Sequence, residues 1–205
     1  NLIAEEISTA TRFFDECAQL SPRKHDEFML FDAIDCPSKT VKNKEEVDSV
    51  EWSKKDKRTA YLLNGNFNYD YDIQQTLNDL YVKLSRHSRL FVILYNPFFR
   101  FLYSMLKSLG LRQEEQPDVF LTEKDIRTLA SLSGYEVVRI RPSVFIPFYI
   151  PLLSNLINRI CAILPVIKRL SFVWLIVLRP VKQEETKPSL SIIVPARNEE
   201  GNVEN

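Results

Sequence analysis

The sequence predicts an α/β protein with an open, mostly parallel β-sheet, and three observations support this prediction. Short apolar runs alternate with longer segments whose apolar residues recur at helical spacing. Two of the runs, Arg89 to Tyr95 and Phe172 to Leu178, are almost uninterrupted apolar segments, as expected for strands covered on both faces. Turns that contain Gly or Pro separate many of these segments.

Composition limits the classes of function. The chain has 205 residues, of which 45% are hydrophobic, so it can bury one ordinary core. Lys plus Arg equals Asp plus Glu at 27 each, so there is no global field to attract nucleic acid, and we expect no nucleic-acid partner. The widely spaced Cys17, Cys36 and Cys161 argue against a disulfide framework and for packing roles in a reducing cytosol. With only His25 and His87, no metal site is expected.

The first 58 residues predict three segments. Apolar residues at helical spacing predict a helix from Leu2 to about Leu20, which ends at Ser21-Pro22. The run Phe28 to Phe31 predicts a strand, followed by an acidic loop that reaches Pro37. The charged stretch from Ser38 to Arg58 predicts a solvated surface segment.

A regular alternation of strands and helices follows. Pro97 suits a helix start, and Thr122 with acids in the next turn is a capping signal. The predicted strands are Thr59–Asn64, Arg89–Tyr95, Tyr135–Arg141 and Phe172–Leu178, and the predicted helices are Asp72–Leu84, Pro97–Leu109, Thr122–Leu132 and an interrupted stretch over Pro147–Leu170.

An uncharged segment from Pro142 to Asn158 is the candidate for a membrane span. It contains three prolines and is shorter than the roughly 20 apolar residues that a span requires. The sequence therefore predicts a buried or interfacial helix and no transmembrane span.

Two segments resemble the second half of class I S-adenosylmethionine-dependent methyltransferases. YDIQQTLNDLYVKLSRHSRLFVILYNP, from Tyr71 to Pro97, is similar to that family's helix before its fifth strand and to the strand itself. TEKDIRTLASLSGYEVVR, from Thr122 to Arg139, is similar to its late helix and sixth strand. The resemblance implies an incomplete Rossmann-like methyltransferase sheet with flanking helices over residues 1–180.

The same resemblance implies S-adenosylmethionine as cofactor and suggests four cofactor-binding residues. FDAIDCP resembles the end of the family's third strand, where Asp32, beside Ala33, would accept a hydrogen bond from the adenine amino group. The alternative role for Asp32 is to cap a turn. Asn64 and Gly65 close the fourth strand at the edge where open α/β sheets bind ligands, and the alternative there is a plain turn.

The sequence departs from the family's pattern at the cofactor site. Such enzymes have a glycine-rich turn after the first strand, but Gly65, Gly110, Gly134 and Gly201 are far apart here. The sequence therefore predicts that the first two strands are missing and that cofactor binding is weakened. It also predicts that Thr59–Asn64 is an exposed edge unless the Ser38–Arg58 segment covers it.

The last residues resemble a different family. After a polar linker over 181–190, SIIVPARNEEGNVEN at 191–205 is similar to the first strand and loop of a family-two glycosyltransferase with the GT-A fold. In a complete domain Pro195, Ala196, Arg197 and Glu199 would be nucleotide-sugar-binding positions. Because the chain starts at Asn1 and ends on this strand-like run, we expect a fragment with a truncated glycosyltransferase domain.

Three functional hypotheses follow. The leading one is the methyltransferase-like part of a bifunctional methyltransferase/glycosyltransferase, a cytoplasmic transferase with a small-molecule or lipid-linked acceptor. The rival is a non-catalytic structural or membrane-surface remnant attached to a family-two glycosyltransferase, in peripheral contact with the membrane. The third is a glycosyltransferase named for its tail. The apolar stretch around Phe145 to Ile167 is expected to be an acceptor-side lid, and no catalytic residue is assigned.

Two further features have alternative roles. His87, between Arg86 and Ser88, is expected to be solvated, and the alternative is a general base. The aromatic residues Phe98, Phe99, Phe101 and Tyr103 are expected in the core, and the alternative is a platform for lipid or stacked bases.

Overall fold

A computed structural model of the chain describes residues 2–22, 30–43, 57–108, 117–143 and 171–182. Within these ranges six strands form one sheet. The helices are α1 (Leu2–Thr11), α2 (Ile73–Lys83), α3 (Arg100–Ser108) and α4 (Glu123–Leu132). The strands are β1 (Glu16–Leu20), β2 (Ser38–Lys42), β3 (Thr59–Asn64), β4 (Arg89–Tyr95), β5 (Tyr135–Ser143) and β6 (Val173–Pro180). Single 3-10 turns follow β3 and β4, at Asn66–Asn68 and Pro97–Phe99.

The strand order across the sheet is β2-β1-β3-β4-β6-β5. Strands β2, β1, β3 and β4 run parallel, and β6 is antiparallel to both of its neighbours, β4 and β5. The predicted α/β class with a mostly parallel sheet is therefore confirmed.

The first strand of the sheet lies where the sequence predicts the end of a helix. Helix α1 ends at Thr11, and Glu16–Leu20 is not helical but is strand β1, with all five residues buried. Strand β1 pairs with β2 on one side and with β3 on the other. The prediction that the first two strands are missing is wrong, because β1 and β2 precede β3 in the sheet. Thr59–Asn64 is not an exposed edge either, because β3 pairs with β1 and β4; β1, rather than the Ser38–Arg58 segment, covers the edge.

The segment before β3 also differs from its prediction. Leu30 and Phe31 lie in a turn rather than in a strand, while Phe28 and Met29 are outside the described residues. The predicted surface segment begins with β2, which is the outermost strand among the described residues, and Lys39 in β2 donates from Nζ to the Phe31 carbonyl at 3.4 Å. Most side chains of β2 are exposed and most are polar, so the sequence has no apolar run that predicts this strand.

The sheet has an apolar core on each face. One core packs α2 and α4 against the sheet and includes the fully buried Leu63, Leu80 and Leu94. The other core packs α1, through Ile7, and the turn at residues 30–36 against the opposite face. Each apolar strand is therefore covered on both sides, as the uninterrupted run in β4 predicts. Among the helices in the described ranges, none is long and apolar enough to cross a membrane.

The predicted helix starts are confirmed by their caps. The Asp72 carboxylate accepts from the Gln75 amide at 3.0 Å at the start of α2. Thr122 and Asp125 form a reciprocal capping box on α4, and the hydrogen bond from the Thr122 side chain lowers the pKa of the Asp125 carboxyl.

Candidate functional site

The carboxyl ends of the four parallel strands meet at one edge, where hydrogen bonds join them. The Ser21 amide, directly after β1, donates to the Lys42 carbonyl in β2 at 2.7 Å. The Asn66 Nδ2 donates to the Ser21 carbonyl at 2.9 Å and so joins the ends of β1 and β3. The Gly65 amide donates to the Ile93 carbonyl of β4 at 3.0 Å. We call this region the carboxyl edge.

The path of the chain changes direction at this edge. From β1 the chain moves outward to β2, and it then returns to β3 on the other side of β1 and continues to β4. In open α/β sheets the crevice at such a switch point is where ligands bind. The Asn66–Ser21 hydrogen bond lies at this switch point, so these two residues mark the candidate site.

Ser21 holds an unusual backbone conformation. Its φ is 43°, in the left-handed region that residues other than glycine rarely adopt. For a residue with a Cβ, this backbone conformation is less favourable than the right-handed one by roughly 1–2 kcal/mol of conformational energy. The turn after β1 therefore has a backbone conformation that favours glycine, but the residue in it is serine.

Gly65 also needs positive φ, and its angle is 69°. A Cβ at this position would meet the Tyr95 ring at 3.7 Å, which is an ordinary contact. Backbone conformation rather than space is thus the reason for glycine here. Asn64 and Gly65 lie at the carboxyl edge, as predicted.

Two buried asparagines, Asn68 and Asn96, hydrogen-bond to backbone groups of the segments next to the carboxyl edge. Asn68 accepts at Oδ1 from the Tyr95 amide at 2.9 Å and donates from Nδ2 to the Val119 carbonyl at 2.8 Å. Asn96 accepts at Oδ1 from the Phe98 amide at 3.0 Å and donates from Nδ2 to the Ser171 carbonyl at 2.6 Å. Asn96 therefore caps the 3-10 turn at Pro97–Phe99, and the same side chain also anchors the entry to β6.

Asp32 and Ala33 lie elsewhere. Both are in the turn that precedes β2, and Asp32 is exposed. Because β1, β2 and β3 are parallel, a turn that precedes β2 lies toward the amino edge, whereas Asn64 and Gly65 end β3 at the carboxyl edge. The structure therefore does not bring these two pairs together, and the expected strand end at Asp32 is corrected to a turn.

Acidic side chains near the start of α2 are already engaged. The Thr76 hydroxyl donates to the Asp70 carboxylate at 2.6 Å, and the Tyr71 hydroxyl donates to Asp118 at 2.7 Å. The hydrogen bond to Asp118 raises the pKa of the Tyr71 phenol, so this group stays protonated at neutral pH. These groups organise the turns around the edge and do not form an activated base.

Other candidate groups show no sign of a site. His87 accepts at Nε2 from Arg86 Nε at 3.0 Å. Within the described ranges no group of three or more His, Cys, Asp or Glu residues could hold a metal ion. A cavity of about 10 Å³ lies in the core under α2 and α4, lined by apolar side chains such as Leu77 and Ile126. It has room for about one water molecule and none for a cofactor.

Comparison with solved structures gives this sheet a known fold. The chain superposes on an S-adenosylmethionine-dependent methyltransferase from Archaeoglobus fulgidus with a TM-score of 0.54 and 10% identity, over 87% of this chain and 93% of that one. The chain has a methyltransferase fold. The chain also superposes on a proposed S-adenosylmethionine-dependent methyltransferase from Listeria monocytogenes. The TM-score is 0.51 and the identity 10%, over 88% of this chain and 98% of that one. Superposition on the mitomycin 7-O-methyltransferase MmcR gives a TM-score of 0.52 at 13% identity, over 87% of this chain and 53% of that one.

Sequence comparison adds nothing to this result. No profile of a known protein family matches the chain, and no curated protein matches it.

The residue that sequence reasoning missed is Ser21. Its signal was the dipeptide Ser21-Pro22 directly after the short buried run of β1, which the helical spacing of earlier residues concealed. The predicted nucleotide-sugar positions Pro195, Ala196, Arg197 and Glu199, and the predicted lid around 145–167, lie outside the described residues.

Proposed function

We propose that this chain is the S-adenosylmethionine-dependent methyltransferase-like part of a bifunctional methyltransferase/glycosyltransferase, with weakened cofactor binding. The observation that supports the cofactor site is the switch point between β1 and β3, where Ser21 holds a φ of 43° beside Asn66. The family that the sequence resembles has a glycine-rich turn after its first strand. Serine in the turn after β1 supports the weakened binding, because a Cβ restricts how closely a ligand can approach the backbone.

Each residue has a limited role in this proposal. S-adenosylmethionine, when bound, supplies a methyl group on a sulfonium, and transfer depends mainly on positioning. The backbone at Ser21 would face the cofactor, and Asn66 would hold that backbone through its 2.9 Å hydrogen bond. The Asn66 Oδ1 is a buried atom without a hydrogen-bond partner among the described residues, so it is an acceptor available to a ligand hydroxyl.

Replacing Ser21 by Gly is expected to tighten S-adenosylmethionine binding several-fold. Glycine removes the Cβ from the ligand's approach and adopts a φ of 43° without strain. The measurement is isothermal titration calorimetry of the purified chain and of the variant with S-adenosylmethionine.

The matched control is Ser21→Ala, which removes the hydroxyl but keeps the Cβ. It should bind like the parent chain, because the proposal attributes the weak binding to the Cβ. Equal gains in both variants would contradict that explanation. The absence of heat for the parent and the Gly variant at millimolar ligand would contradict the cofactor site itself.

The glycosyltransferase half of the proposal is supported by the sequence at 191–205. It is tested by any coding sequence that follows Asn205. A family-two enzyme requires an Asp-x-Asp metal-binding motif downstream, so a continuation with that motif supports the proposal and a continuation without it contradicts it.

A second candidate function is a non-catalytic module at a membrane surface. Phe98, Phe101 and Met105 are 60%, 66% and 45% exposed. Their spacing of three and four residues places them on one face around the start of α3. The prediction that Phe98 and Phe101 lie in the core is therefore wrong, whereas Phe99 is partly buried and stacks on Phe172 with ring centroids 4.0 Å apart. We call Phe98, Phe101 and Met105 the α3 patch.

If the α3 patch contacts lipid, the chain should co-sediment with vesicles of phosphatidylcholine and phosphatidylserine. Replacing Phe98 and Phe101 together by Ser should then reduce the bound fraction several-fold, because each exposed ring contributes apolar area to the contact. Val82→Ser is the control, since Val82 is 80% exposed and lies on a different helix, α2. Background sedimentation of the parent chain would rule out this second function.

A further inference from the structure

Two thiols from different parts of the chain meet beneath α1. Cys17 in β1 is 1% exposed and belongs to the core under α1, against which Cys36 packs. The Cys17 thiol donates to the Thr11 carbonyl at 3.9 Å, and the Cys36 thiol donates to the Ser38 carbonyl at 3.2 Å. Cys36 is partly exposed, so one thiol of the pair can be reached by solutes and the other is shielded.

Contacts with Thr11 bring the two cysteine-bearing segments together. The Cys17 Sγ lies 3.9 Å from the Thr11 carbonyl at the end of α1. The amide of Asp35, next to Cys36 in sequence, donates to the Thr11 hydroxyl at 3.0 Å. Across the sheet, Cys17 pairs in register with Lys39, three residues after Cys36. Thr11 therefore holds both cysteine-bearing segments together on the same face of the sheet.

We propose that Cys17 and Cys36 form a reversible disulfide when the chain meets a small disulfide oxidant such as glutathione disulfide. The Cys36 thiolate attacks one sulfur of the oxidant, which forms a mixed disulfide and releases one glutathione. The Cys17 thiolate then attacks the Cys36 sulfur, which forms the protein disulfide and releases the second glutathione. Two protein thiols lose two electrons and two protons, and the oxidant is reduced to two thiols.

The environments of the two thiols set the order of these steps. Burial raises the pKa of the Cys17 thiol well above its usual range. Cys17 is therefore a poor first nucleophile, whereas Cys36 is accessible. Since the second step needs the Cys17 thiolate, ring closure should speed up as the pH is raised.

The experiment treats the folded full chain with glutathione disulfide at pH 8 and analyses it by intact mass and by tryptic mapping under non-reducing conditions. We expect a mass loss of about 2 Da, corresponding to two hydrogens, and a crosslink between peptides 13–23 and 25–39, which carry Cys17 and Cys36. A reductant should restore both free peptides.

Variants distinguish this bond from other oxidation. Cys161→Ser should still form the bond, and Cys17→Ser should stop at a stable mixed disulfide on Cys36. The proposal is overturned if the folded parent chain also stops at the mixed disulfide or links Cys36 to Cys161. It is equally overturned if the parent does not react while the urea-unfolded chain does. None of these results depends on whether the chain binds S-adenosylmethionine.

Discussion

Replacing Leu63 by Ala is expected to lower the free energy of unfolding by about 3 kcal/mol. Leu63 is fully buried in the middle of the sheet, in the core beneath α2 and α4. The substitution removes the transfer free energy of three carbon atoms and leaves a cavity that strands on both sides prevent from collapsing. A domain of this kind has about 5–15 kcal/mol of stability in total, so the loss is large.

Urea unfolding followed by circular dichroism measures this loss. The midpoint should fall while the slope stays constant, because the same surface becomes exposed on unfolding. Leu132→Ala is the matched control: Leu132 is 65% exposed on α4, so its truncation should change the stability by about 0.5 kcal/mol or less. Similar losses for the two variants would mean that β3 is not in the core.

Replacing Asn68 by Ala is expected to cost about 2–3 kcal/mol. The Asn68 side chain is 1% exposed and joins the carboxyl end of β4 to the segment before α4. Without it, the Tyr95 amide and the Val119 carbonyl lose partners in a place with little water. The cost follows from leaving these groups unpaired rather than from the small volume that is removed.

The same urea titration tests this second prediction. Asn78→Ala is the control, because Asn78 is exposed on α2 and alanine is the better helix former there. It should leave the stability unchanged or slightly higher. If Asn68→Ala and Asn78→Ala had the same free energy of unfolding, the two hydrogen bonds of Asn68 would not stabilise the fold. The carboxyl edge would then not depend on this residue.

Local sequence predicted the elements whose signals are local. Strands β3 and β4 have the predicted bounds, because each is a continuous apolar run closed by polar turn residues. The starts of α2 and α4 follow from the capping side chains of Asp72 and Thr122, which act within one turn of the helix. Such interactions depend on residues three or four positions apart, so a single sequence reveals them.

The candidate site was predicted only in part. Asn64 and Gly65 were assigned to the carboxyl edge because a polar turn with glycine follows a buried strand. Asp32 was misassigned because the Asp-Ala pair resembled a strand end, whereas the structure has a turn there. Ser21 is not among the predicted site residues, because the helical spacing of the earlier apolar residues conceals the end of β1 at Ser21-Pro22.

By itself, then, the sequence determined the fold class, most strands and helices after residue 58, and the resemblance to methyltransferases. Only the tertiary structure decided that Glu16–Leu20 is a strand and that it lies between β2 and β3. The physical reason is that β1 gains its hydrogen bonds and burial from strands more than 20 residues away along the chain. Its own residues, which include the buried Glu16 and Gln19, have no local preference that would reveal this position.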